Sequence, residues 1–67
     1  MYVARLFDDT GHLKTQTMFS LLENAYASLD ALRDADAELT GWTFELNVKD
    51  PTPFDIGEYE IDRVVFS

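Results

Sequence analysis

The chain contains no cysteine, which rules out disulfides and thiolate metal sites. It has a single histidine, His12, beside a turn-like stretch. Read functionally, His12 would be a general base, or a metal ligand with Asp8 and Asp9. The plainer reading is an exposed turn residue, because a metal site needs three or more convergent ligands. The run Asp8-Asp9-Thr10-Gly11 also lacks the alternating ligands and distant glutamate of a calcium loop. Nucleophile elbows, phosphate-binding loops and dinucleotide fingerprints are all missing. No enzymatic activity, cofactor or metal is therefore expected. No apolar run approaches the roughly 20 residues of a membrane span. Met1-Tyr2-Val3-Ala4-Arg5 leads directly into strand-like sequence rather than an export signal, so the cytosol is the expected location.

Positive charge is also scarce. Arg5, Lys14, Arg33, Lys49 and Arg63 are scattered, each near acidic residues, against thirteen carboxylates and a net charge of -8. A chain so charged repels nucleic acid and anionic membranes and is attracted to basic surfaces. Direct nucleic-acid binding is not expected, since no basic stripe with interleaved aromatics exists.

What is present is enough for one small domain, residues 1–67, with 46% apolar residues and nine aromatics. A domain this small buries only about 60% of the surface of its unfolded chain. With no disulfide, its core is purely hydrophobic or is shared with a second copy.

The apolar pattern predicts four strands and one helix. Tyr2–Phe7 and His12–Phe19 read as a hairpin around Asp8-Asp9-Thr10-Gly11, with Gly11 suited to positive φ. Ser20-Leu21-Leu22-Glu23 matches a capping box and starts a helix running to about Ala35. Leu21, Leu22, Ala25, Leu29 and Leu32 share one arc, with Tyr26 at its edge. Glu23, Ala27, Asp30 and Asp34 share the opposite arc. Asp36 would point into the apolar arc, so the helix ends before it. Trp42–Lys49 alternates strictly, with Trp42, Phe44, Leu46 and Val48 on one face. Asp50-Pro51-Thr52-Pro53 breaks the strand and a loop follows from Phe54 to Gly57. In the last strand, Glu58–Phe66, the alternation puts Glu58, Glu60 and Asp62 on one face and Tyr59, Ile61, Arg63 and Val65 on the other.

The fold class is therefore α+β, ββαββ, a four-stranded sheet with one helix on one face. The first and fourth strands carry apolar residues on both sides and are expected at the centre, giving the order 2-1-4-3. A right-handed crossover would make those two strands parallel. In element order this resembles a β-grasp.

Two acidic groups stand out. Glu23, Asp30 and Asp34 form a helix ridge. Glu58, Glu60 and Asp62 line a strand face to which Glu45 adds if the last two strands pair. Alternate strand residues are about 6.8 Å apart, comparable to successive phosphates on a nucleic-acid strand. Like charges so placed repel without a visible folding reward. A solvated face or a guarded sheet edge is the plainer account of each group. In size, acidity and lack of cysteine or enzyme motifs, the chain resembles small phage-encoded anti-CRISPR proteins of the DNA-mimic kind. That resemblance implies an inhibitor occupying the DNA-binding surface of a bacterial defence complex, above all a CRISPR effector. Any basic nucleic-acid-binding protein is a partner of the same class. The alternative is a small homodimeric adaptor using the sheet's uncovered face, with Tyr2 and Phe66 as members and the charge incidental.

Overall fold

Tyr2–Phe7 forms β1, in which Ala4 and Leu6 are buried on one face and Val3 on the other. A strand with apolar residues on both sides belongs inside a sheet, and β1 lies between β2 (Leu13–Phe19) and β3 (Thr43–Lys49). The helix α1 spans Leu22–Arg33, and β4 spans Glu58–Val65. The computed structural model describes residues 1–35, 38–49 and 57–67. Asp36, the Asp50–Pro53 break and the first part of the loop that follows it fall outside these residues.

The sheet runs β2-β1-β3-β4 with every adjacent pair antiparallel. This corrects the predicted order 2-1-4-3 and removes the resemblance to a β-grasp, which rested on a parallel central pair. Charge decides the matter. Glu58, Glu60, Asp62 and Arg63 would have to be desolvated in a central strand, whereas at an edge they stay in water. β3 is interior because Phe44 and Leu46 are buried on one face and Asn47 on the other. β2 and β3 run in the same direction with β1 between them, and α1 connects them while packing on β1 and β2.

On the helix side the core is Ala4, Leu6, Ala25, Leu29, Phe44, Leu46 and Phe66. Tyr2, Phe19, Tyr26, Leu32, Leu39, Trp42 and Val64 are half-buried against it. Ala25 and Leu29 are one turn apart on the predicted apolar arc, but Leu21 and Leu22, at its start, are exposed. Tyr2 and Phe66 pack into this core rather than onto the uncovered face.

The helix begins later than the capping box predicts. Leu21, in extended conformation, is the N-cap and makes no side-chain cap bond. That places the Ser20 hydroxyl one position too early to serve the first-turn amides. Glu23 remains in the first turn, where the positive end of the helix dipole favours an acid. At the other end the Asp34 N–H bonds the Asp30 carbonyl, and the Ala35 N–H tightens to Leu32. The helix therefore stops two residues before the predicted Ala35.

Two register shifts shape the sheet. Leu6 faces Thr15 while Phe7 faces Leu13, leaving Lys14 as the extra residue of β2. Leu46 faces Asp62 while Asn47 faces Glu60, leaving Ile61 as the extra residue of β4. A bulge of this kind reverses the alternation on either side of it.

Candidate functional site

The Ile61 bulge divides the predicted strand cluster. Glu60 stands opposite Asn47 and Glu58 opposite Lys49, on the face away from the helix. Asp62 stands opposite Leu46, on the helix face. Its carboxylate there accepts a hydrogen bond from the Tyr26 hydroxyl at 3.0 Å, which holds the Tyr26 phenol above its ordinary pKa. The single acidic face of Glu58, Glu60 and Asp62 is therefore not formed.

The open face instead carries a network of alternating charge. Arg5 donates through both terminal nitrogens to Glu58, at 2.7 and 2.9 Å, and through Nε to Gln16 at 2.9 Å. The Arg5 guanidinium lies 3.9 Å from Glu45. Arg63 donates to Glu60 through Nε and lies 3.3 Å from the second Glu45 oxygen. Asn47, buried in β3, donates to Glu45 at 2.9 Å. The hydrogen bonds from Arg5 hold the Glu58 carboxyl below the usual range, and Lys49 contributes through its charge. Glu45, Glu58 and Glu60 thus face Arg5, Arg63 and Lys49. Their folding reward, invisible in the sequence, is supplied by bases from β1, β3 and β4. Such exposed pairs contribute modestly one by one, and a bidentate arginine pair is the best of them.

The β1–β2 turn uses another acid locally. Asp8 Oδ1 accepts from the Thr10 hydroxyl at 2.7 Å and from the Thr10 and His12 backbone N–H groups at 2.9 Å each. Gly11 takes φ +89°, as its place in the turn requires. These bonds, the Thr10 hydroxyl first, lower the Asp8 carboxyl to about 2. Lys14, pushed out by its bulge, is 3.6 Å from Asp8. His12 is exposed, with Nδ1 2.8 Å from the Thr10 hydroxyl. No group of three metal-ligating side chains occurs among the described residues. Because the folded-state pKa of Asp8 is depressed, its stabilising effect is present above pH ~4 and is lost as pH falls toward 2. Thermal melts at pH 5, 3 and 2 should therefore show Asp8→Asn well below wild type at pH 5 and nearly level with it at pH 2. A gap independent of pH would refute this role.

Among the described residues Asp9 and Glu23 make no ion pair, and further weakly compensated carboxylates lie at the far end of the helix. Asp30 and Asp34 are one turn apart and exposed, and they lie at the C-terminal end of α1. There the negative end of the helix dipole opposes them. Arg33 offsets Asp30 only at 3.9 Å. Asp34 and the exposed Glu38 make no ion pair among the described residues. Glu38 follows in a tight turn, its N–H bonded to the Ala35 carbonyl. The same segment reaches Gly41, against which the Asp9 side chain is packed. Glu23 is about 16 Å away along the helix axis from Asp34. Among the predicted residues, then, the structure groups Asp30 with Asp34. It separates Glu23 and Asp62, and it engages Glu45, Glu58 and Glu60 internally. Sequence reasoning missed Glu38, since it lies beyond the predicted helix end. The helix ends at Arg33, so no helical spacing in the sequence relates it to Asp34.

No helix among the described residues is long and apolar enough to cross a membrane. No protein-family model matches the chain, and no curated protein or solved structure matches it either.

Proposed function

We propose that this chain is a non-catalytic, acidic binding protein that docks the C-terminal end of its helix into a cationic, phosphate-binding surface. The observation that carries this reading is the pair Asp30 and Asp34, with Glu38 the next described carboxylate along the chain. All three are exposed and weakly compensated by the rest of the described chain, and Asp30 and Asp34 stand where the helix dipole disfavours negative charge. The sheet acids have a structural explanation in Arg5, Arg63 and Lys49, whereas these do not. Side chains kept against a local electrostatic cost are best explained by a partner that relieves it.

The partner class follows from charge. A net charge of -8 steers the protein toward basic grooves. Carboxylates spaced along a helix end present negative oxygens where a groove expects phosphates. A DNA-binding protein of bacterial defence, with a CRISPR effector complex as the leading case, is the target this reading favours.

The test is capture from a bacterial lysate containing CRISPR and restriction systems, with mass spectrometry of what is retained and challenge by duplex DNA. The captured protein should be released by DNA and by moderate salt, since exposed charge pairs weaken as ionic strength rises. Retention of a partner indifferent to both would overturn the reading and favour an adaptor.

A further inference from the structure

Among the described residues the edge strands of the sheet are β2 and β4, and they are built differently. β4 is interrupted by the Ile61 bulge and carries Glu58, Glu60, Asp62 and Arg63. Bulges and charges of this kind keep an edge from pairing with another chain. β2 has neither protection over Thr15–Phe19. That stretch pairs with β1 without a register shift and contains no charged residue, proline or glycine.

The distribution of charge singles out the same edge. From Thr10 to Leu22 there is no carboxylate at all, in a chain that carries thirteen, and Lys14 is the one formal charge. Two molecules of net charge -8 repel over most approaches. They meet with least repulsion here. Leu13, Met18, Leu21 and Leu22, half of the large apolar side chains left exposed among the described residues, fall in the same acid-free stretch. They sit at both ends of the edge, which suits a two-fold pairing.

We propose that β2 pairs antiparallel with β2 of a second copy of this chain, joining the two sheets into one. Centred on Gln16, the pairing sets Gln16 against its twin and Thr15 of each copy against Thr17 of the other. It brings Leu13 of each copy to the Phe19–Leu22 end of the other. Threonine pairs and apolar contacts across strands stabilise such a ladder, and the interface is isologous. The two-fold axis stands perpendicular to the sheet, so both helices lie on one side. This proposal does not depend on the identity of the acidic helix end as a binding site.

Sedimentation equilibrium and amide hydrogen exchange on the whole chain test it. The apparent mass should rise from 7.7 kDa toward twice that with concentration. Amides in Thr15–Phe19 should gain protection over the same range. Thr15→Glu with Thr17→Glu places like charges opposite each other in both symmetric pairs. That variant should raise the dimer dissociation constant at least about tenfold, with the circular dichroism of the monomer unchanged. A mass of 7.7 kDa at every concentration up to about 1 mM would overturn the proposal, and leave β2 to a strand from another protein. So would a dimer that survives the double substitution but is broken by Val65→Asp, on the open face beside the opposite edge.

Discussion

Asp30→Lys, Asp34→Lys and Glu38→Lys together are expected to abolish capture of the cationic partner and leave the fold standing. Each reversal changes the charge by two, so the triple variant goes from -8 to -2. Long-range attraction falls with it, and three lysines meet a groove that is already positive. Loss of complementary charge pairs at an interface costs about 2–5 kcal/mol, so affinity should drop at least about 30-fold. Stability should hold, or rise by a few tenths of a kcal/mol at positions 30 and 34, because lysine suits the C-terminal end of a helix. Titration calorimetry measures the first effect and urea unfolding the second. The control has the same net charge: Glu23→Lys, Glu58→Lys and Glu60→Lys. Breaking the bidentate Arg5–Glu58 pair there should lower stability by about 1 kcal/mol and leave most of the affinity. If both triple variants lose binding equally, net charge alone is at work and the helix end is not a site.

Phe44→Ala is expected to remove most of the stability of the molecule. Phe44 faces Leu6 on β1 and Val64 on β4, and it is 2% exposed. It also borders a cleft of about 310 Å³ between α1 and β2, lined by Leu6, Thr15, Thr17 and Leu32 among others. Removing the ring enlarges this cleft, and threonines held in an edge strand cannot close it. Phe→Ala in a core costs about 3–5 kcal/mol. A domain of this length has about 3–10 kcal/mol in total. Circular dichroism through a urea titration should show a shallow or absent native baseline. If β2 pairs with a second copy, raising the protein concentration should partly restore the folded state, because a dimer stabilises by mass action. A loss below about 1 kcal/mol would place the core elsewhere.

Local features of the fold were legible because they depend on neighbours in sequence. The limits of β1 were predicted to the residue. β2, β3 and β4 came within one residue at the end where they differ, since strict alternation and Gly11 mark such elements. The predicted apolar arc of Leu21, Leu22, Ala25, Leu29 and Leu32 contains both buried helix residues, Ala25 and Leu29, although Leu21 and Leu22 at its start are exposed. The capping box failed because a Ser-x-x-Glu pattern fits a helix start at Ser20 only if the chain leaves its extended path there. Leu21 remains extended.

Strand order and the grouping of charge were not legible, for one shared reason. Both depend on which groups are brought together by residues far apart in the chain. Apolar residues on both faces of β4 suggested a central strand, but the cost of desolvating its four charges outweighs them. A period of two assigns Glu58, Glu60 and Asp62 to one face until a single extra residue, Ile61, turns Asp62 toward Tyr26. Arg5 lies 53 positions from Glu58, and nothing local indicates their bidentate pair.

The sequence by itself determined an α+β chain of five elements with a large excess of negative charge, because periodicity and composition are properties of the chain alone. Only the tertiary structure decided which of those charges are neutralised within the sheet and which stay exposed at the helix end. Electrostatic compensation is a matter of distances across the fold, and one bulged residue is enough to redirect it.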